Sequence, residues 1–403
     1  MFTTHNLGSQ QSTTTLLRTV IDEVTELEPG GGLLFLATGP AGSGKSSLVR
    51  EIARSLPGWS GIRVTALSWQ AGNDGQLLEH ILQRAGHDGS LLDLVDREGA
   101  STAIVIDDVH WADPDTLRQL IEATRRLRHG RLAVIMTASD ADDANEELPM
   151  SRLREIADHA VMLAPLDIED VAALVLSIVG AHLTPLTAAE LRDITGGRPG
   201  RIREVLQAAP ADHWRLSNPQ IPIPKPWRAA LARRSRDLDL GAILTAVAIL
   251  PGTGRGTPEL IRFLADDADG RLLDTAVTAD LLEIVPRAGD RIVQFSHPTD
   301  RAVIRATTGP AEMNRLHRRA AQFHRADHNV DAALIHEALG AEGHNDATSL
   351  ELADRAEQLG AGGQWLNAAE MFTLASRVAS NPDVIHDQHL NSIEALIAAA
   401  DIP

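Results

Sequence analysis

Gly39-Pro40-Ala41-Gly42-Ser43-Gly44-Lys45-Ser46 is a complete G-x-x-x-x-G-K-S run. Its chemistry is that of a phosphate cradle. The glycines let successive backbone N–H groups turn toward one point without Cβ clashes. Lys45 then reaches the β- and γ-phosphates, the Ser46 hydroxyl is placed to bind Mg2+, and Ser47 follows at the start of a helix whose dipole favours an anion. The chain has only two lysines, Lys45 and Lys225, and is otherwise arginine-rich, so composition does not account for a lysine in this slot. A second constellation is Ala103-Ile104-Val105-Ile106-Asp107-Asp108, an apolar run ending in two acids. There Asp107 is placed to hold Mg2+ through water and Asp108 to orient or deprotonate an attacking water. The two runs together call for ATP or ADP with Mg2+, with Lys45, Asp107 and Asp108 as the chemical set. The bland readings are a Gly/Ser-rich turn and an acidic pair capping the helix that begins near Pro114.

These residues need a scaffold that brings two strand ends together. Leu33 to Ala37 reads as a buried strand and Ser47 to Ala53 as a helix, so the cradle lies where a strand hands over to a helix. Ile104 to Ile106 is apolar at every position, the mark of a strand buried on both faces in a parallel sheet, with the acids at its carboxyl end. Gly61 to Leu67, Leu132 to Thr137 and Ala160 to Leu163 supply further strands; Ser12 to Thr15 caps a first helix. The fold class expected is α/β, a doubly wound parallel sheet of the P-loop NTPase kind, over residues 1–164. Residues 165–209 read as a helical lid broken at Thr195 to Gly200. Five prolines between Pro210 and Pro226 read as a linker with little regular structure, opening a region 210–309 of helices followed by a hairpin at 281–295, which is a winged-helix pattern. From residue 310 onward the chain reads as all-α helical repeats, tetratricopeptide-like with a period of about 34 residues. An array ending at Asp401-Ile402-Pro403 without neighbour or cap leads us to expect a longer polypeptide.

Composition narrows the function further. The net charge of −18 disfavours a nucleic-acid or anionic-membrane surface. The absence of cysteine removes disulfides and thiolate metal sites. The apolar runs are too short to span a bilayer and the N-terminus has no signal-peptide pattern, so a cytoplasmic protein with no membrane partner is expected.

The string Ile106-Asp107-Asp108-Val109-His110-Trp111-Ala112-Asp113-Pro114-Asp115-Thr116-Leu117 goes beyond a generic acidic strand. It resembles the Walker B segment of the STAND class of signalling ATPases, in particular the ATP-binding N-terminal part of large LuxR-type transcriptional regulators related to the maltose regulator. Thr195-Gly196-Gly197-Arg198-Pro199 resembles the family's lid motif, which implies Gly197 and Pro199 near the adenine. Phe295-Ser296-His297-Pro298 resembles the winged-helix stretch whose histidine, by resemblance His297, touches the β-phosphate of ADP. The resemblance departs in two places. Leu7-Gly8-Ser9-Gln10-Gln11 lacks the usual arginine and glutamate near the adenine, and Thr137-Ala138-Ser139-Asp140 lacks the arginine that senses the γ-phosphate. Slow hydrolysis is therefore expected.

The resemblance implies a nucleotide-driven switch that self-associates on activation. It would meet an inducer or protein partner through its repeats and DNA only through a C-terminal domain absent from these residues. The alternatives are an origin-recognition-like DNA-binding ATPase and a nucleotide-binding scaffold without turnover. His110 and Trp111 are candidates for packing the loop after the strand as much as for ligand contact. Arg315, Arg318, Arg319 and Arg325 read as a solvated helix face.

Overall fold

The computed structural model describes residues 3–7, 10–68, 74–139, 150–216, 219–236, 238–252, 254–287 and 290–400, with side chains described from Thr15 to Ala399. Gly8, Ser9 and Asp140 of the two departures, the middle of the 286–290 turn and Asp401 to Pro403 lie outside the described residues. The chain divides into two compact units, 1–222 and 223–403.

The first unit runs β1 (Thr3–Leu7), α1 (Gln10–Thr25), β2 (Gly32–Thr38), α2 (Lys45–Arg54), β3 (Ser60–Thr65), α3 (Gln76–Arg84), α4 (Leu91–Val95) and β4 (Ser101–Asp107). It continues with α5 (Pro114–Arg126), β5 (Arg131–Ala138), α6 (Met150–Ile156), β6 (His159–Leu163), α7 (Ile168–Val179), α8 (Pro185–Thr195) and α9 (Pro199–Gln207). The strands form one six-stranded parallel sheet in the order β1-β6-β2-β5-β4-β3. Alternate residues of the central strands feed two cores. Leu33, Phe35, Val105 and Ile135 meet α1 and α2 through Val20, Val49 and Ile52. Leu34, Leu36, Ile104, Ile106 and Val134 meet the opposite layer through Leu77, Ile81, Leu117 and Leu120. Burial on both faces is why these strands read as unbroken apolar runs.

Two expectations need correction, and one strand goes beyond them. The polar segment Thr3–Leu7, for which the sequence offers no strand pattern, is a strand pairing in parallel with β6 at the sheet edge. α1 begins at Gln10, which places Ser12 to Thr15 inside the helix rather than at its cap. The proline-rich stretch contains a short 3-10 helix, Ala211–Arg215, whose Trp214 is fully buried and donates its indole N–H to the Leu206 carbonyl at 3.3 Å. The prolines limit helix length there without preventing an anchored turn.

The second unit comprises α10 (Lys225–Arg234), α11 (Gly241–Ala248), α12 (Pro258–Ala265), α13 (Arg271–Thr278), the antiparallel hairpin β7 (Leu282–Arg287) and β8 (Asp290–Phe295), and α14 (Pro298–Thr307). It ends with α15 (Pro310–Ala326), α16 (Val330–Leu339), α17 (Asp346–Ala361), α18 (Trp365–Val378) and α19 (Pro382–Ala400). Before the hairpin the helical stretch is interrupted between α10 and α11, after Arg234 and before Gly241. A bridge from Gly256 to Val293 extends the hairpin. Arg301 of α14 donates to the Leu250 and Gly252 carbonyls at 2.6 Å each, and Arg234 pairs with the buried Asp300. In α16 to α19 the core alternates small and large residues: Ala353, Ala356, Ala368, Ala369 and Ala375 pack with Leu352, Met371 and Phe372. Among the described residues no helix is long and apolar enough to cross a membrane.

Candidate functional site

The phosphate loop is built by glycines in the left-handed region. Gly39, Gly42 and Gly44 have φ of 142°, 81° and 101°. A Cβ on Gly39 would lie 2.8 Å from the Leu163 carbonyl oxygen, so only glycine fits where the loop leaves β2. Gly44 caps α2 through its backbone, receiving the N–H groups of Ser47 and Leu48 at 2.9 Å each. Pro40 accepts from the Ser43 N–H at 3.2 Å, which closes the turn over Ala41. Lys45 is buried and its Nζ donates to the Gly39 and Pro40 carbonyls at 2.6 and 2.9 Å, so the ammonium lies along the loop itself. Among the described residues the Ser43 hydroxyl, buried inside the loop, finds no hydrogen-bond partner, which leaves a polar atom for a ligand to satisfy.

The acidic pair sits one strand over from β5. β3, β4 and β5 are in register with Thr65 opposite Asp107 and Ile106 opposite Met136, which puts Asp107 and Thr137 side by side on the α2 face. The buried Asp107 carboxylate accepts from the Thr137 hydroxyl at 3.3 Å on one oxygen and from the Arg63 guanidinium at 2.7 Å on the other. The same Thr137 hydroxyl accepts from the Asp108 N–H at 2.9 Å. Asp108 takes φ 58°, which turns the chain sharply at the strand end and leaves its carboxylate only half-buried.

Neither acid caps the following helix. That role belongs to Asp113, fully buried, which accepts from Thr116 N–H at 2.8 Å and also from Gly75 N–H at 2.9 Å. One carboxylate thus satisfies the N-termini of α5 and α3. His110 is buried against Trp111 and its Nδ1 accepts from the Ser139 N–H at 3.3 Å, so it ties the loop after β4 to the end of β5.

The lid meets the loop directly. The Gly200 N–H, at the start of α9, donates to the Gly42 carbonyl at 3.0 Å, and a Cβ on Gly200 would approach Gly42 to 3.3 Å. Gly197, with φ 65°, receives the Leu166 N–H at 2.8 Å; a Cβ there would lie 2.5 Å from the Leu166 carbonyl oxygen. Pro199 occupies the first turn of α9, where its missing N–H costs nothing. Arg198 caps α9 beside Gly42. Burial holds its guanidinium below the usual arginine range and nearby Arg201 adds to this; no carboxylate pairs with it among the described residues.

Gly39 to Ser47, Asp107, Asp108, Gly197 and Pro199 all belong to the first unit, where the lid touches the loop through Gly200 and Arg198. His297 belongs to the second unit, where it precedes α14 with a partly exposed ring, its Nε2 lying 3.8 Å from Asp280. Arg63, Thr137 and Gly200 carry no sequence signal as site residues; only strand register and lid packing put them there. The donor set suits a hard divalent cation: hydroxyl and carboxylate oxygens of Ser46, Asp107 and Asp108. Among the described residues no group of three or more His, Cys, Asp or Glu gathers as a metal site. A cation here would accordingly share its shell with phosphate oxygens and water, as Mg2+ does.

No curated protein matches the chain. Among solved structures it is similar to the ORC2 protein of Aeropyrum pernix, determined as ADPNP–ADP complexes, at 12% identity over 76% of this chain and 93% of that one, with TM-score 0.45. It is also similar to a STAND protein with a tetratricopeptide-repeat sensor from Pyrococcus horikoshii, at 17% identity and TM-score 0.31; the match covers 98% of this chain but 59% of that one. A third is the RuvB Holliday-junction branch-migration motor of Thermotoga maritima, at 16% identity over 71% and 92% of the two chains and TM-score 0.39. Residues 35–159 match the model of the ATPase family associated with various cellular activities (AAA), and with the loop, sheet and acidic pair above, this part of the chain has the AAA P-loop NTPase fold.

Proposed function

We propose that the protein is a nucleotide-driven switch of slow turnover, in which ADP bound at the phosphate loop favours a closed form. ATP with an inducer would favour an open form that self-associates and acts on transcription through a further C-terminal domain. The observation that carries this reading is the Gly200 to Gly42 hydrogen bond: the loop that would cradle the phosphates and the helix that would close over them share a backbone contact. A ligand in the loop thereby biases the lid, and a ligand that contacts two states differently shifts their populations. Lys45 and the orphaned Ser43 hydroxyl face the phosphates, Ser46 and Asp107 hold Mg2+, and Arg198 stands beside Gly42 to meet remaining negative charge. The cation, when bound, neutralises charge on the transferred phosphoryl group. Asp108 positions the attacking water, with Thr137 holding its backbone.

Ser139 stands where an arginine would sense the γ-phosphate, and its N–H is engaged with His110. This supports slow hydrolysis. His297 of the winged-helix region (210–309) supplies the latch on the β-phosphate, and the helical repeats (310–403) receive the inducer or protein partner. A groove of about 800 Å³ beside α16 and α17, lined by Asp331, Leu334, Glu351, Asp354 and Arg355, offers room for one. Direct DNA binding is disfavoured because Arg315, Arg318, Arg319 and Arg325 each pair with a carboxylate.

The test measures ADP and ATP affinities by calorimetry, with turnover alongside. Asp108→Asn should leave binding nearly intact and suppress hydrolysis. His297→Ala should weaken ADP about ten- to a hundredfold, the worth of a hydrogen bond to a charged phosphate, and ATP less. Equal losses for both nucleotides with an unchanged scattering profile would remove the latch, and parental turnover in Asp108→Asn would remove the assigned role of that carboxylate.

A further inference from the structure

The ion pair between Arg63 and Asp107 is not required by either chain segment on its own. β3 is the edge strand, and its burial alternates so that Ile62 and Val64 enter the core while Arg63 and Thr65 face outward. Thr65 pairs with Asp107, so Arg63, two residues earlier, lies on the same face one diagonal step away, within reach of a long side chain. Its guanidinium contacts Asp107 at 2.7 Å, yet the two ends differ sharply in setting: the Asp107 side chain is 6% exposed and that of Arg63 47%. A carboxylate so buried needs a positive partner. A half-exposed arginine on an open sheet edge can supply that charge and withdraw into water at little cost, which a buried partner could not.

We infer that Arg63 is a resident counter-cation that competes with the divalent ion for Asp107 and sets the metal concentration at which the site loads. It is a positioning residue: it holds the carboxylate facing the loop when no metal is bound, and it yields its oxygen to metal with nucleotide. The inference rests on the assignment of Asp107 to the cation in the reading above. A residue serving only to stabilise the sheet edge would affect melting but leave metal affinity alone.

The experiment uses the full chain loaded with ADP and titrated with Mn2+, with free Mn2+ followed by electron paramagnetic resonance. Arg63→Met and Arg63→Gln should lower the half-saturating Mn2+ by roughly tenfold or more, the equivalent of losing one hydrogen bond to a charged group. Arg63→Lys should stay near the parent, because it keeps a competing charge. Without metal, Arg63→Met should also melt lower, and saturating Mn2+ should recover most of that loss. An unchanged or raised half-saturation in both neutral variants, with Asp107→Asn abolishing metal binding, overturns the competition while leaving Asp107 as the metal carboxylate. Parental Mn2+ binding by Asp107→Asn overturns the assignment of Asp107 and the competition together.

Discussion

At the scale of single residues, the loop lysine shows how a charge is stored before a ligand arrives. Lys45 is buried, yet its ammonium is satisfied by two carbonyls of the loop it serves, Gly39 and Pro40. Those contacts cost little to exchange for phosphate oxygens, since a bond between two charged groups replaces one from the ammonium to a neutral carbonyl. Lys45→Ala should therefore weaken ADP and ATP binding about ten- to a hundredfold or more, while the ligand-free protein keeps its far-UV spectrum and melts only slightly lower. Isothermal calorimetry reads the first effect and thermal denaturation the second. Unchanged affinity would mean the loop does not bind phosphate.

At the scale of elements, two contacts hold helices that the site depends on. Asp113 caps α5 and receives the first N–H of the α3 turn, and it is fully buried, so its removal orphans donors of two helices at once. Asp113→Ala should cost on the order of 2–4 kcal/mol, more than an ordinary exposed cap, and should lower stability in urea melts without abolishing the nucleotide chemistry of what remains folded. In the second unit α15 and α16 meet through His317 and His336, whose Nδ1 atoms lie 2.9 Å apart, with His324 stacked on His336. Burial, aided by Arg305 and Arg377, pushes His317 down to about 4; burial, with His317 and His324, pushes His336 down to about 3. An unfolded histidine titrates near 6.5, so as pH falls below that value the unfolded chain takes up protons that the folded rings refuse. Stability should consequently fall between pH 6.5 and about 4, by on the order of 3 kcal/mol from His317 alone, and be independent of these groups above pH 7. Calorimetric melts across that range, with His336→Leu flattening the slope, check the sign and the source.

At the scale of the whole molecule, each unit carries its own apolar core: two layers around the parallel sheet in one, alanine-rich helix packing in the other. Separate cores predict separate cooperative folding. Residues 1–222 produced alone should fold and bind ADP, because every loop, acid and lid residue of the site lies within them. If His297 contributes from residues 223–403, that fragment should bind ADP about ten- to a hundredfold more weakly than the full chain, matching His297→Ala. Equal affinities for fragment and full chain would confine the nucleotide site to the first unit. With a net charge of −18 the full chain should give no salt-resistant gel shift with duplex DNA at physiological salt.

What the amino-acid order determined by itself is what is local. Three glycines within six residues dictate the phosphate loop, because left-handed backbone at Gly39, Gly42 and Gly44 is a property of those residues and not of their neighbours in space. β2, β4 and β5 announce themselves because burial on both faces leaves no room for a polar position. The edge strand β1 does not, since an edge needs only one hydrogen-bonded neighbour and tolerates Thr-Thr-His-Asn. Nor does the buried anchor Trp214, set among prolines that read as a linker. The tertiary structure alone decided that Arg63 meets Asp107 across 44 residues of chain and that Gly200 bonds to Gly42. Both depend on strand register and helix docking, which are settled by the summed packing of a whole sheet and its layers rather than by any one segment.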